Sequence, residues 1–401
     1  RTDGLQSGAL YFDGQVTYAE RLVIELAESA SRFGAQIATC CAVVSVTTDG
    51  AVVTGVTATD AATGASLHIR GRVVINVAGP WVDHVLAEVP GHHSPRKLIG
   101  GTRGSHLVVD CWPGAPTDTI YAEAHSDGRP ILVIPWNGMM LLGSTDVRFD
   151  GDPGTAITTA AEVSYLLDEV NRLFPTANLT PEHIRYSYAG IRPLPRTQSG
   201  REGAITRRHI IKDHAPQVRG LFSIIGGKLT THRSLAEQVV DKVAARLGSD
   251  ARSSTAHAAL PGAAWGRSAA AEPAVSRLLV SLNLDPALAT RLAATYGALS
   301  ADILAPVRDD PSLGERVGPD SPLMAAEIAW AVQHEMARTL TDLLMRRTMV
   351  GLGPSLARDL IEPAADHLAR YLGWSTTERK SAIEAHLGWL TRLQPEQPAT
   401  P

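Results

Sequence analysis

The residues best able to do chemistry in this chain are a few cations set beside glycines and prolines. In LFSIIGGKLTTHRSLAEQ, residues 221–238, Lys228 follows Gly226 and Gly227 where an apolar strand hands over to a helix expected to begin near Thr230. A helix start exposes free backbone N–H groups at the positive end of the macrodipole, which suits a phosphate, a carboxylate or an electron-rich ring oxygen. Lys228 adds a mobile cation there. A tight turn with a solvated lysine accounts for the same residues, because a Gly-Gly pair is ordinary turn punctuation.

A second cation stands in YAGIRPLP, residues 188–195. Arg192 ends an apolar strand and precedes two prolines, so a stiff backbone carries it. A fixed guanidinium can grip an anion through two parallel hydrogen bonds, each charged bond being worth roughly 1.5–3 kcal/mol. An interdomain salt bridge is the other use of such a residue. AITRRHII places Arg207 and Arg208 in an expected strand, where alternation sends them to opposite faces and leaves one of them to solvent. GGTRGSHLVVD, 100–110, puts Arg103, Ser105 and His106 at the start of a strand, and a lone histidine is more often structural than catalytic. NVAGPW, 76–81, is either a strand end with a packing glycine or a place where Ala78, Gly79 and Trp81 approach a flat cofactor.

These residues need elements to hold them. TYAERLVIELAESASRFG, 17–34, predicts an amphipathic helix with a Thr17 cap, an apolar face of Leu22, Ile24, Leu26 and Ala30, and a closing Gly34. Val- and Thr-rich segments at 42–48, 51–59 and 65–70, split by DG and ATG, predict an antiparallel meander. Residues 72–89 read as strand, Ala-Gly-Pro turn and helix, the texture of a layered α/β domain. Short strands follow at 104–109, 131–136, 139–144 and 183–192, around a helix at 159–174 with a Thr159–Glu162 capping box and a stop at Pro175. The strand 205–212 and the segment 221–247 return to the first domain. The expected organisation is therefore residues 1–99 and 205–248 in one α/β domain, 100–204 as an inserted antiparallel-sheet domain, 249–273 as a linker, and 274–401 as a helical domain.

Composition narrows the function classes. Net charge is −4, and lysine stands only at positions 97, 212, 228, 242 and 380, so the many arginines reflect a bias in basic residue type and not a basic excess. A sequence-independent grip on nucleic acid is excluded by that balance. No apolar run of membrane-spanning length occurs. Cys40, Cys41 and Cys111 form no C-x-x-C and have no histidine at ligand spacing, so neither a zinc site nor a disulfide framework is expected, and a reducing cytoplasm fits.

Taken in order, GALYFDGQV, NVAGPWV, TRGSHLVV, IPWNGMMLLGSTD, YAGIRPL, ITRRHII and IIGGKLTTHRSLAEQ resemble the FAD-dependent glycerol-3-phosphate dehydrogenases. WAVQHEMARTLTDLLMRRT resembles the helical carboxy-terminal domain of that family, so the resemblance covers nearly the whole chain. AGPW alone recurs among flavin amine and hydroxyl oxidases; its combination with GGKLTT and the helical tail is far more specific.

The resemblance implies an α/β (α+β) fold: a glutathione-reductase-type FAD domain, an antiparallel substrate domain over the flavin, and the helical domain. It implies oxidation of sn-glycerol 3-phosphate to dihydroxyacetone phosphate, with hydride passing to flavin N5 and electrons to a quinone. Carried onto this sequence, Arg192, Lys228 and His106 become catalytic residues. Arg192, Arg207 and Lys228 bind substrate, and Ala78, Gly79, Trp81, Gly226, Gly227, Lys228, Leu229 and Thr230 contact FAD. A homodimer and a peripheral position on the inner face of the plasma membrane belong to the same expectations. An oxidase using O2, and a non-catalytic fragment, are the alternatives. Two departures stand out: the sequence contains no G-x-G-x-x-G, and His232 occupies a position where the family more often has tyrosine. Its first methionine is Met139. A piece of a longer enzyme is the expectation that follows.

Overall fold

A computed structural model describes residues 7–91, 97–197, 205–266 and 268–396; the boundary expected at 204/205 falls on the edge of the undescribed segment. The chain starts with helix α1 (Ala19–Arg32), then an antiparallel meander of β1 (Cys41–Asp49), β2 (Val52–Asp60) and β3 (Ser66–Arg70). Strand β4 (Val74–Asn76) passes through a short 3-10 turn, Gly79–Trp81, into α2 (Val82–Ala87). Pro80 sits in the first turn, where a missing N–H costs nothing.

Next come β5 (Thr102–Asp110), β6 (Ile120–Glu123), β7 (Pro130–Trp136), β8 (Met139–Gly143), β9 (Val147–Arg148), helix α3 (Ala160–Leu173) and β10 (Ile184–Arg192). They form one antiparallel sheet in the order β10-β5-β8-β7-β6, with β9 beside β5. Helix α3 covers one face, where Leu107, Val109, Met140 and Leu142 pack against Val163, Leu166 and Val170. The capping box expected at its start is present in full. Alternation sends His106, Val108, Tyr186 and Tyr188 to the opposite face, and Val108 and Tyr186 join the core of the helical region. Strands β6 and β9 escaped the sequence reading because each is too short to show a period.

Strands β11 (Ile210–Asp213) and β12 (Leu221–Ile225) and helix α4 (His232–Leu247) return to β4, with β12 parallel to β4 and antiparallel to β11. The strand expected at 205–212 therefore begins only at Ile210, and Arg207 and Arg208 lie in the loop before it. The cause is the partner: Ile210 pairs with Ile225, the last residue of β12 before the chain turns at Gly226. Strand alternation therefore does not divide Arg207 and Arg208 between two faces.

The remaining α-helices among the described residues are α5 (Ser268–Ser281), α6 (Ala289–Tyr296), α7 (Ser300–Leu304), α8 (Ala325–Gln333), α9 (Ile361–Leu372) and α10 (Thr376–Leu390), joined by shorter 3-10 turns and a π-helix at Asp342–Arg347. Helix α5 begins inside the stretch 249–273 read as a linker. Ala271 and Val275 are fully buried, so packing overrode the Ala, Ser and Pro composition. Helix α1 also differs from its expected amphipathic face. Its buried residues are Arg21, Ile24 and Glu25, because Arg21 meets Glu335 at 2.8 Å across the boundary to the helical region. Thr17 does not cap it; Tyr18 holds that position, and the Thr17 carbonyl accepts from the Trp136 indole at 2.9 Å. Among the described residues no helix is long and apolar enough to cross a membrane.

Candidate functional site

Two parallel strands set the frame. β4 and β12 run side by side with Asn76 opposite Ser223, so the turns leaving their carboxyl ends, 77–81 and 226–231, emerge together. Ligands of layered α/β folds bind at that end of a parallel sheet. Buried Asn76 fixes the first turn: its amide donates to the Val82 carbonyl at 2.9 Å and its oxygen accepts from the Ala78 N–H at 3.2 Å. The second turn needs its glycines, since Gly226 and Gly227 sit at φ +73° and +98°. The Gly226 N–H donates to the Pro193 carbonyl at 2.9 Å, one residue beyond Arg192, and the Gly79–Trp81 turn touches β10. Three segments distant in sequence, AGPW, GIRP and GGKLTT, thereby meet.

Lys228 is exposed and precedes the 3-10 turn Leu229–Thr231, which leads into α4. Neither start has a side-chain cap; the Thr231 and His232 N–H groups donate back to the Lys228 and Leu229 carbonyls, which leaves those of 228–230 for another acceptor. Apolar surface surrounds them, with Val77, Trp81 and Leu229 at 65%, 41% and 42% exposure. His232 turns its Nδ1 back to the Leu229 carbonyl at 2.7 Å, inside the same turn.

Arg192 lies at the end of β10, half-buried. One guanidinium nitrogen meets Asp146 Oδ1 at 3.1 Å and the other donates to Ser144 Oγ at 2.9 Å. Arg207, from its loop, reaches the second oxygen of Asp146 at 3.7 Å. Burial pushes the Arg192 pKa down, Asp146 pulls it back, and Arg207 and Arg129 push it down again. Three guanidiniums, of Arg192, Arg207 and Arg129, gather on Asp146 and leave a net positive charge that suits an anion. The side chain lies flat on Gly104: a Cβ there would come within 2.3–2.5 Å of three guanidinium atoms.

His106 sits one pair along the same face, with its ring stacked on Tyr188 at 5.1 Å and pressed against Gly143, where a Cβ would fall 2.2 Å from Cδ2. Its Nδ1 is buried without a hydrogen-bond partner among the described residues. Burial first, and the Arg192 charge second, push the pKa down to about 4, so the ring is neutral at physiological pH. Arg103 and Ser105, which accompanied it in the sequence reading, point the other way. They meet buried Glu162 of α3 at 2.9 and 3.0 Å. Local reading missed Asp146, Ser144 and Tyr188. GSTD after a strand looks like any loop, and the partnership of Asp146 with Arg192 spans 46 positions of sequence.

The described residues fit the ring end of a flavin: two turns with positive φ, uncapped N–H groups, and apolar atoms turned outward at the carboxyl ends of β4 and β12. They contain no G-x-G-x-x-G turn for a pyrophosphate. A parallel strand pair presenting such turns beneath an antiparallel sheet that carries arginines and a histidine is the plan of a flavin-dependent oxidoreductase. Comparison with known proteins agrees. Residues 1–239 match the family model of FAD dependent oxidoreductases, and 253–379 match the C-terminal domain of alpha-glycerophosphate oxidase. A glycerol-3-phosphate dehydrogenase from Synechocystis is 39% identical over 96% of this chain, which spans 71% of that relative. An aerobic glycerol-3-phosphate dehydrogenase from Staphylococcus haemolyticus is 32% identical over 87% of this chain and is itself covered to 62%. The glycerol-3-phosphate dehydrogenase of Bacillus halodurans, solved with FAD, superposes with a TM-score of 0.81 at 28% identity, covering 95% of this chain and 74% of that one. The chain belongs to the FAD-dependent glycerol-3-phosphate dehydrogenase family.

Proposed function

We propose that this chain oxidises sn-glycerol 3-phosphate to dihydroxyacetone phosphate, with FAD at the paired turns. The observation that carries the reading is the convergence of Arg192 and Arg207 on one carboxylate, beside a neutral His106 and against the Gly-Gly turn. The two guanidiniums bind the substrate phosphate, for which a planar fork is suited. His106 offers a neutral ring whose nitrogen takes the proton of the secondary hydroxyl, a role that needs hydrogen-bond reach and an uncharged base. Lys228 and the N–H groups of 228–230 favour negative charge at the ring end of the cofactor. FAD supplies the hydride-accepting N5. Stacking on Tyr188 and contact with Gly143 keep the imidazole on the sheet face.

A quinone is the proposed electron acceptor, which brings the protein to a membrane surface. Oxygen is the second reading, favoured by the match of 253–379 to a domain described from an oxidase. The test is a titration with FAD followed by anaerobic addition of glycerol 3-phosphate. Bleaching of the flavin absorbance supports the reading, and flavin that binds but stays oxidised overturns it. Hydrogen peroxide release on admitting air then separates oxygen from quinone.

A further inference from the structure

Ser144 and Asp146 turn toward Arg192, and Thr145 between them turns toward Ser105 and Glu162. Ser144 and Asp146 hold Arg192, at 2.9 and 3.1 Å, and Asp146 reaches Arg207 as well. The Asp146 carbonyl accepts from Arg129, and the residue is only 7% exposed. Behind it, Thr145 is anchored. Its hydroxyl accepts from the Ser105 N–H at 2.8 Å and donates to Glu162 at 2.7 Å. Glu162 is itself fixed by the Thr159 N–H at 3.1 Å and hydroxyl at 2.8 Å, in the capping box of α3. A rigid helix start thus stands behind a carboxylate shared by two guanidiniums. A carboxylate that merely neutralised them would need no such backing, and it lowers the net positive charge offered to an anion. What it adds is direction: with Ser144 it fixes the Arg192 guanidinium by hydrogen bonds, and its second oxygen draws Arg207 to the same place by charge, at 3.7 Å.

We propose that Asp146, braced through Thr145 and Glu162, is a positioning residue that aims Arg192 and Arg207 at a single phosphate group. This rests on the glycerol 3-phosphate reading above. Removing the charge then has opposite consequences for two ligands. A small symmetric anion gains from the lost negative charge and needs little orientation. A phosphate monoester whose carbinol must also reach His106 loses its register.

The experiment measures, by calorimetry on the FAD-loaded protein kept anaerobic with its flavin already reduced so that no turnover occurs, dissociation constants for glycerol 3-phosphate and for inorganic phosphate in wild type, Asp146→Asn and Ser144→Ala. In Asp146→Asn we expect glycerol 3-phosphate to weaken about 10-fold, the scale of one charged hydrogen bond, while inorganic phosphate stays level or tightens. Ser144→Ala, which removes one neutral partner of Arg192, moves the same ratio by a smaller factor. It carries the test if Asp146→Asn does not fold. A parallel change for both ligands, or none, overturns the positioning role and leaves the substrate reading in place. A wild type that does not prefer glycerol 3-phosphate over inorganic phosphate overturns both.

Discussion

At the scale of single residues, the site depends on the absence of side chains as much as on their presence. Gly104 and Gly143 sit on neighbouring strands, and each carries a functional side chain flat on its Cα. Nothing in the backbone of Gly104 demands glycine, since its φ is not in the left-handed region. Gly104→Ala should therefore fold normally and displace only the end of the flexible Arg192 side chain. We expect an unchanged Tm with a roughly 10- to 100-fold loss in kcat/KM, the cost of about 1 Å of misplacement. A fall in Tm without a change in kinetics would contradict this account. The sequence exposed Arg192, His106 and Lys228 as candidates because their neighbours are local: prolines, a strand, a glycine pair. It could not expose Asp146, whose importance is a contact between residues far apart in the chain.

At the scale of elements, helix α1 shows how a sequence period can mislead. Its buried face holds Arg21 and Glu25, and Arg21 meets Glu335 through two hydrogen bonds of 2.8 Å each while lying over the Tyr296 ring at 4.8 Å. The Trp330 indole donates to Glu335 at 3.1 Å, and Glu25 accepts from the Gly262 N–H at 2.8 Å. This buried network joins the FAD-binding region to the helical region, and the segment read as a linker is tied into it. Glu335→Gln would leave Arg21 charged and poorly paired. Breaking a buried pair from one side costs roughly 3–5 kcal/mol, so we expect the denaturation midpoint to fall sharply. A shift worth less than about 1 kcal/mol, the scale of a surface pair, would show that water reaches the network. Helix α3 is the opposite case. Its capping box, its apolar period and its proline stop are all local signals, and it forms as the sequence predicts.

At the scale of the whole molecule, two histidines, His386 buried and His106 partly so, make stability depend on pH. His106 and His386 are each pushed from 6.5 down to about 4, mainly by burial, with Arg192 and Arg358 adding to it. The unfolded chain takes up these protons near pH 6.5 and the folded chain does not. The contribution is therefore present above that pH and lost progressively as the pH falls toward 4. Each group should cost roughly 2 kcal/mol by about pH 5. Melting curves between neutral and mildly acid pH test this: His386→Gln should remove roughly 2 kcal/mol of the acid loss at about pH 5, and an unchanged slope would refute the assignment. Sequence by itself determined the meander, helix α3, the two glycine turns and the family, because each rests on local periodicity, turn chemistry or residue order. Tertiary structure alone decided that AGPW, GIRP and GGKLTT meet, that Arg207 leaves the strand, that Arg21 goes inside, and that Asp146 stands between two guanidiniums. The physical reason is common to all four. Each depends on which surface a residue packs against, and that is fixed by pairing between strands and by burial across domains, not by the residues next to it in the chain.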